Sequence, residues 1–249
     1  MKLSCTRPIL LALAFTSGSA SAVTVVTDDF DTGVVSSSWD TTAGTSVVSG
    51  GAQGSTQAVT LAATTGNLGE TFGAVSPGGA EDFVIDYYFR VQAVAAPATT
   101  RQFNLQVSTT WVTPNTSAAT INLRYQNGGW ALFNTAWVPV AGLPAVADGT
   151  WYHMQLEGVD WGTAGASYTL RLSDAAGSAF TSTATGLNIV QNGNIIGTKA
   201  QSFNFNTAFG ANPGFSVDQV TVTAADVVPE PGAVSLGGLV LLGLLRRRR

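Results

Sequence analysis

The stretch Phe83-Val-Ile-Asp-Tyr-Tyr-Phe-Arg-Val91 decides the fold class of this chain. Its odd-numbered positions are all large and apolar, whereas its even-numbered positions include Asp86, Tyr88 and Arg90. Successive side chains of a β-strand point to opposite faces, so this alternation predicts a strand with one buried face. A helix would require a period of 3.6 residues, which this stretch does not show.

The same two-residue period recurs on both sides of that stretch. It is found at residues 101–108, 120–126, 151–157, 167–173, 203–205 and 215–223. Turn-forming pairs such as Asn127-Gly128 and Asp148-Gly149 separate these runs. Many short strands with one apolar and one polar face predict an all-β fold of two antiparallel sheets packed as a sandwich.

A weaker pattern covers residues 36–79, which are rich in glycine, serine and threonine. Apolar residues at Val47, Val48, Val59, Leu61 and Phe72 indicate short strands there rather than a linker. We therefore expect a single sandwich domain over residues 23–223. A linker is expected over residues 224–231.

Composition excludes several functional classes. Charged residues make up only 10% of the chain, against roughly 25% in an ordinary soluble domain. Residues 23–228 carry a net charge of −9, because five basic residues face fourteen acidic ones, and an acidic body is a poor match for nucleic acid. The only cysteine is Cys5, so a chain beginning at Val23 has no disulfide and no thiol site.

The N-terminus has the three parts of a secretory signal peptide. Lys2 and Arg7 are basic, residues 8–15 are apolar, and Ala20-Ser21-Ala22 matches a cleavage site. The apolar run is shorter than the about 20 residues that cross a bilayer. We expect a signal helix over residues 1–22, its removal by signal peptidase, and export of the body.

The C-terminus combines a proline-rich motif, an apolar run and a basic cluster. Pro229-Glu230-Pro231 precedes an apolar run over residues 232–245, and Arg246, Arg247, Arg248 and Arg249 follow. At 1.5 Å per residue this run measures about 21 Å, short of a roughly 30 Å hydrocarbon core. Flanking valines and snorkelling arginines could close the difference. Consecutive arginines favour the cytoplasmic side, which places the body outside the membrane.

These three parts resemble the PEP-CTERM sorting signal. The resemblance implies a transmembrane sorting helix over residues 232–249 and processing near Pro231 by an exosortase. It also implies a Gram-negative host that makes exopolysaccharide. The protein would be anchored in the inner membrane before processing, and would then reach the cell surface or the extracellular matrix. The alternative is a plain C-terminal membrane anchor.

The body resembles laminin-G-like and concanavalin-A-like jelly rolls. One part of the resemblance is Asp148-Gly-Thr-Trp-Tyr-His-Met-Gln-Leu-Glu157 with the strand over residues 167–173. The other part is Asp28-Asp29-Phe30 with Phe215-Ser-Val-Asp-Gln-Val-Thr-Val-Thr223, which resemble first and last strands that pair with each other. The resemblance implies the fold and a bias toward carbohydrate, but it implies no reaction.

No catalytic constellation is evident in the sequence. Retaining glycosidases need two carboxyl groups about 5–5.5 Å apart, whereas Asp82 and Asp86 would lie about 13 Å apart on a strand. Glu81 and Asp86 would face opposite sides. His153 is the only histidine and is expected to be an ordinary polar-face residue. A non-enzyme is therefore favoured, and a glycoside hydrolase or lyase with an unrecognised site is the alternative.

Structural calcium is the one cofactor that the sequence suggests. Jelly rolls often hold Ca²⁺ where the first and last strands meet, on carboxylate and carbonyl oxygens. Asp28, Asp29 and Asp218 are the candidate ligands. The alternative is that Asp28 and Asp29 lie at a solvated strand entry.

Sugar binding requires aromatic platforms beside polar groups. The candidates on polar strand faces are Tyr88, Arg90, Asn104, Asn122 and Arg124, and Trp130 and Trp137 lie near a turn. The tryptophans could instead close the edges of the sandwich. The sequence thus predicts a surface or matrix protein that binds carbohydrate or exopolysaccharide, with a structural matrix protein without a ligand as a further alternative.

Overall fold

The computed structural model describes residues 22–73, 79–92, 101–109, 119–134, 136–175, 177, 179–189, 195–208 and 212–225. The predicted signal helix over residues 1–21, the Pro-Glu-Pro motif and the predicted sorting helix lie outside these residues. Within them, no helix has the length and apolar character needed to cross a membrane.

The described residues form β-strands without an α-helix. In chain order the strands are β1 (Val23–Asp28), β2 (Thr45–Ser49), β3 (Gln57–Leu61), β4 (Asn67–Thr71), β5 (Asp82–Val91), β6 (Arg101–Ser108), β7 (Ala119–Gln126), β8 (Gly129–Asn134), β9 (Ala136–Pro139), β10 (Tyr152–Val159), β11 (Ser167–Ser173), β12 (Phe180–Asn188), β13 (Ser202–Asn206) and β14 (Phe215–Ala225). The prediction of an all-β body is confirmed for these residues. The short strands expected at Val47, Val59 and Leu61 are β2 and β3.

The strands make two antiparallel sheets. The eight-stranded sheet has the order β12-β11-β10-β5-β14-β3-β2, with β1 also paired to β14. The six-stranded sheet has the order β4-β13-β6-β7-β8-β9. The first and last strands pair as expected, with Val23 opposite Ala224 and Asp28 opposite Val220. The predicted two-sheet sandwich is therefore confirmed.

The core lies between the sheets and follows the alternation in the sequence. In β5 every second residue from Phe83 to Val91 is buried, and its neighbours are half-buried. Aromatic rings join the two sheets, because Phe103 of the six-stranded sheet lies 4.9 Å from Phe215 of the other. Burying an aromatic or large aliphatic side chain contributes roughly 1.5–3 kcal/mol, so this layer stabilises the sandwich.

Strand β14 extends two residues past Thr223, where the sequence predicts the end of the domain. Strand β14 continues past Thr223, with Ala224 opposite Phe83 and Ala225 opposite Asp82. Ala224 is only 1% exposed. Alanine is small and has low strand propensity, so its burial was not visible in the alternation. The expected linker over residues 224–231 therefore begins inside the sheet.

Candidate functional site

The outward face of the six-stranded sheet carries a row of amide side chains. In β6 the core residues Phe103, Leu105 and Val107 point inward, so Asn104 and Gln106 point outward. Pairing partners share a face, and the pairs that continue this face are Gln106 with Asn122 and with Asn204, and Asn104 with Arg124. Asn206 lies beside this row on β13. We call Asn104, Gln106, Asn122, Asn204 and Asn206 the amide face.

The amide face is buried, yet much of its hydrogen-bonding capacity is unused. Each of its side chains is at most 3% exposed. Asn206 Nδ2 donates to Asn204 Oδ1 at 2.6 Å, but both side-chain polar atoms of Asn104, Oδ1 of Asn122, Nδ2 of Asn204 and Oδ1 of Asn206 have no partner. A buried polar atom without a partner costs about 1–3 kcal/mol, and native proteins satisfy nearly all such atoms with protein groups or ordered water. Water or a bound polar molecule is therefore the expected partner.

An arginine and a tryptophan border the amide face. The guanidinium carbon of Arg124 lies 3.5 Å from the centre of the Trp137 ring, and that of Arg101 lies 5.2 Å from it. Trp137 is half-buried and packs edge-on against Phe133, 5.2 Å away. Burial and the charge of Arg101 lower the pKa of Arg124 to about 10. Both effects disfavour the charged form of Arg124, so an anion near it would be stabilising.

The structure separates the sequence-predicted sugar site into two groups. Asn104, Asn122, Arg124 and Trp137 share the outward face of the six-stranded sheet. Tyr88 lies on β5 of the other sheet, where it stacks on His153 at 4.5 Å and donates a hydrogen bond to the Gly177 carbonyl.

Arg90 also lies on β5, with its guanidinium carbon 4.6 Å from the centre of the Trp151 ring. The expectation that Tyr88 and Arg90 line one surface with the asparagines is wrong. Period-two patterning assigns a residue to a face of its strand, but it does not say which sheet holds that strand.

The expectation that Trp130 is an exposed platform is also wrong. Trp130 is 2% exposed and pairs with Tyr125, so it faces the core. Its ring lies 5.6 Å from Phe89, and its indole N–H donates to the Pro144 carbonyl. It follows the turn at Asn127-Gly128, but alternation across that turn directs it inward and leaves Trp137 on the outer face.

A polar network that the sequence analysis missed crosses the outer face of the eight-stranded sheet. His153 Nε2 lies 2.6 Å from Asp86 Oδ1, and Gln155 donates to Asp86 Oδ2 at 2.9 Å. Arg171 donates to Gln155 and to Glu157, the latter at 2.8 Å. Partner strands bring these groups together, whereas a search along one strand could not find them.

The network leaves little of the imidazole free for chemistry. Tyr88 stacks on the His153 ring at an interplanar angle of 11°, and Phe180 lies 4.5 Å from it. Asp86 occupies Nε2. We interpret this histidine as a structural link between β5 and β10, because two aromatic rings and a carboxylate surround it.

The candidate calcium ligands do not form a metal site. Asp28 accepts hydrogen bonds from the backbone N–H groups of Phe30 and Ser36 and from the Trp39 indole. The carboxylate of Asp218 is buried and accepts from the N–H groups of Ala52 and Gln219.

Burial raises the pKa of Asp218. At Asp28 and Asp218, N–H donors already occupy carboxylate oxygens that calcium would need. No three His, Cys, Asp or Glu residues in the described ranges lie close enough together to hold a metal. The expected group of Asp28, Asp29 and Asp218 does not fit the ion.

Asp40 and Glu70 lie close together at the edge of the six-stranded sheet. Asp40 N–H donates to Glu70 Oε2 at 2.8 Å, and Thr71 N–H donates to Asp40 Oδ2 at 3.0 Å. Burial and the charge of Asp40 raise the pKa of Glu70 to about 7. These reciprocal bonds tie the loop after Trp39 to β4, so we interpret the pair as structural.

The solved structures that share this fold with the chain include the following three. A protein of unknown function from Shewanella oneidensis MR-1 has a TM-score of 0.53 and 16% identity, covering 89% of this chain and 98% of its own. A carbohydrate esterase from the Shiga toxin-encoding bacteriophage phi24B has a TM-score of 0.51 and 14% identity, covering 83% of this chain and 100% of its own.

The third structure is the exoplasmic/lumenal domain of VIP36 in a Ca²⁺- and mannose-bound form. It has a TM-score of 0.51 and 10% identity, covering 78% of this chain and 85% of its own. No protein-family model and no curated protein matches the chain. At these identities the likeness shows a shared β-sandwich fold.

Proposed function

We propose that this protein binds a glycan on the amide face of its six-stranded sheet. The observation that carries the proposal is the set of buried amide atoms that have no partner, above all both side-chain polar atoms of Asn104. Sugar hydroxyls both donate and accept hydrogen bonds, as amides do, so a glycan can satisfy donors and acceptors together. The unused capacity matches that chemistry.

The border of the amide face supports the same ligand. Trp137 is half-buried on the same outward face and presents an aromatic surface beside the polar groups. Binding sites of this kind combine aromatic contact with a few placed polar groups. Two of the structures that share the fold are described as a carbohydrate esterase and as a mannose-bound domain. They support a carbohydrate-related role.

Substitution of the central amides tests the proposal. In Asn104→Leu and Asn122→Leu, a side chain of similar size replaces an amide with unpartnered atoms, so the free energy of unfolding should be unchanged or higher. The affinity for the host exopolysaccharide, measured by isothermal titration calorimetry, should fall about 10-fold or more. The matched control is Asn188→Leu, because Asn188 is exposed on β12 of the other sheet.

The outcomes are distinct. Equal binding by Asn104→Leu and the unmodified protein would contradict the site, provided that both unfold at the same denaturant concentration. Shortening of the glycan during the titration, detected as new reducing ends, would favour the hydrolase or lyase alternative. Absence of binding to any glycan offered would favour a structural matrix protein without a ligand.

We also propose that the chain is exported and sorted. The tripartite N-terminus supports cleavage by signal peptidase. Pro229, Glu230, Pro231, the apolar run and Arg246–Arg249 support recognition by an exosortase, with transient anchoring in the inner membrane. The product would reach the cell surface or matrix of a Gram-negative bacterium, where exopolysaccharide is available to the amide face.

Replacing Pro229, Glu230 and Pro231 with alanine tests the sorting step. The unmodified protein should reach the surface or medium with a new C-terminus near Pro231, as measured by mass spectrometry. The triple variant should stay in the membrane fraction at full length. If both proteins keep residues 232–249 and stay in the membrane, the segment is a plain anchor.

A further inference from the structure

We infer that the glycan bound on the amide face is acidic, with a uronate carboxylate or a comparable anionic group received by Arg124. This inference rests on the proposed function, since it names the class of glycan for that site. Arg124 is paired with Asn104 across β6 and β7, so the two side chains share the outward face of the sheet. A ligand bound to Asn104 would therefore lie on the same face as this cation.

Arg124 has no carboxylate partner in the described part of the chain. The ion pairs there are His153–Asp86, Arg171–Glu157 and Lys199–Glu81. The Nε of Arg124 is buried and has no hydrogen-bond partner. Its contact is instead the Trp137 ring, at 3.5 Å. A guanidinium presents a planar set of N–H donors that fits a carboxylate in bidentate fashion, so this incompletely hydrogen-bonded guanidinium is suited to an anionic ligand.

A second cation increases the preference for an anion. Arg101 approaches the same Trp137 ring at 5.2 Å, and its charge is one of the two causes that lower the pKa of Arg124. Like charges placed together repel each other, and a bound anion relieves that repulsion. The pair of arginines on one tryptophan therefore favours a negative ligand over a neutral one.

Charge is also divided unevenly between the sheets. In the described strands of the six-stranded sheet, Arg101, Arg124 and Glu70 are the charged residues. Glu70 is opposite the core residue Phe203, so it is on the inward side of the sheet. The strands of the eight-stranded sheet carry five acidic residues against two arginines. The strands of the six-stranded sheet thus carry two arginines and no outward carboxylate on an acidic body, which favours approach of a polyanion from that side.

Matched pairs of oligosaccharides test the inference on the full chain. Each uronate oligosaccharide (oligogalacturonate, oligoglucuronate and oligomannuronate) is compared with its carboxyl-reduced neutral form by isothermal titration calorimetry. At least one acidic member should bind about 10-fold or more tightly than its reduced form, because hydrogen bonds to charged groups are the stronger class. Its affinity should fall as salt is added, because dissolved ions screen the attraction between the anionic ligand and the arginines.

The variants assign that preference to one residue. Arg124→Gln should lower the ratio of the affinities for the acidic and the reduced forms to about 1. Arg124→Lys keeps the charge without the planar donors and should retain part of the preference, which also covers the case in which Arg124→Gln does not fold. The matched control is Arg90→Gln, because Arg90 stacks on Trp151 in the same manner but lies on the other sheet.

Each result decides something. Equal affinity for every acidic and reduced pair would overturn the inference and leave glycan binding at the amide face intact. Equal losses in Arg90→Gln and Arg124→Gln would also overturn it, because the effect would then be one of overall charge. Failure of both acidic and neutral members to bind would instead count against the proposed function.

Discussion

Folding stabilises the protonated form of the Glu70 carboxyl group. Its pKa rises from 4.5 to about 7 because the side chain is buried and lies beside Asp40. The folded state therefore binds a proton more tightly than the unfolded state does between these two values. The contribution of this proton to the free energy of unfolding is fully present below pH 4.5, and it is lost as the pH rises through 7.

Replacing Glu70 with glutamine should remove that dependence. We expect the free energy of unfolding of the unmodified protein to fall by about 2–3 kcal/mol from pH 4.5 to 7, relative to Glu70→Gln. Urea titrations at several pH values measure the difference. Asp40→Asn is the control, because it removes the neighbouring charge and should shrink the dependence. Parallel pH curves for the unmodified protein and Glu70→Gln would contradict the assignment.

At the scale of single residues, the sequence predicts faces better than it predicts neighbours. The assignment of Asn104, Asn122 and Arg124 to a common polar face depends only on period two, and it agrees with the strand register. Trp130 and Trp137 are seven residues apart beside one turn, and only the pairing of β7, β8 and β9 shows which of them faces out. Burial of the amides depends on tertiary packing, which no local pattern records.

The loop that follows β1 is stabilised by hydrogen bonds to one side chain, that of Asp28. Asp28 accepts hydrogen bonds from Phe30 N–H at 2.9 Å, Ser36 N–H at 3.1 Å and Trp39 Nε1 at 2.9 Å. Asp28→Ala should lower the free energy of unfolding by about 2 kcal/mol or more, because it leaves three donors without partners. Chemical denaturation monitored by tryptophan fluorescence measures the change.

Asp29 supplies the matched control for that loop. It accepts one exposed bond, from Asp31 N–H at 3.1 Å, so Asp29→Ala should cost less than about 1 kcal/mol. The same titration with excess calcium or with EDTA should give one midpoint, because N–H donors already occupy Asp28. A shift of the midpoint with calcium would restore the metal site that the sequence suggested.

Strand β10 contains a glycine at a point of close packing. A Cβ added to Gly158 would lie 2.4 Å from Phe83 Cζ and 2.6 Å from its Cε1, in a ring that packs 5.4 Å from Phe72. Gly158→Ala should therefore destabilise the protein by about 1–3 kcal/mol through overpacking.

The control for Gly158 is Gly129 at the start of β8. A Cβ there would meet nothing closer than the Gln126 carbonyl at 3.9 Å, so Gly129→Ala should be neutral or slightly stabilising. Thermal unfolding of the two variants measures the contrast. Equal melting temperatures would mean that Phe83 can move without cost.

At the scale of the whole molecule, the domain boundary can be tested directly. One compact unit spans Ser21–Asp226, and Ala224 and Ala225 pair with Phe83 and Asp82. A fragment of residues 22–226 should unfold in one cooperative transition. A fragment ending at Thr223 loses the pairs of Ala224 and Ala225, so its denaturation midpoint should be lower. Equal midpoints would support the boundary that the sequence alone predicted.

The sequence predicted the fold class and one long-range strand pairing, that of β1 with β14. Alternation identified the main strands, and the resemblance of residues 28–30 and 215–223 to terminal strands correctly paired β1 with β14. The division of strands between the sheets was not predictable, because β5 and β6 carry the same period yet belong to different sheets. Strand order is decided by non-local pairing, so Tyr88 and Arg90 could not be assigned to a sheet in advance.

The position of β14 constrains when the body can fold. This strand is the last in the chain, but it lies between β5 and β3 and also pairs with β1. A chain that emerges from a channel N-terminus first cannot complete its larger sheet until residue 225 has appeared. The larger sheet therefore closes only when the whole of the domain sequence is available. Its closing step is non-local and correspondingly slow.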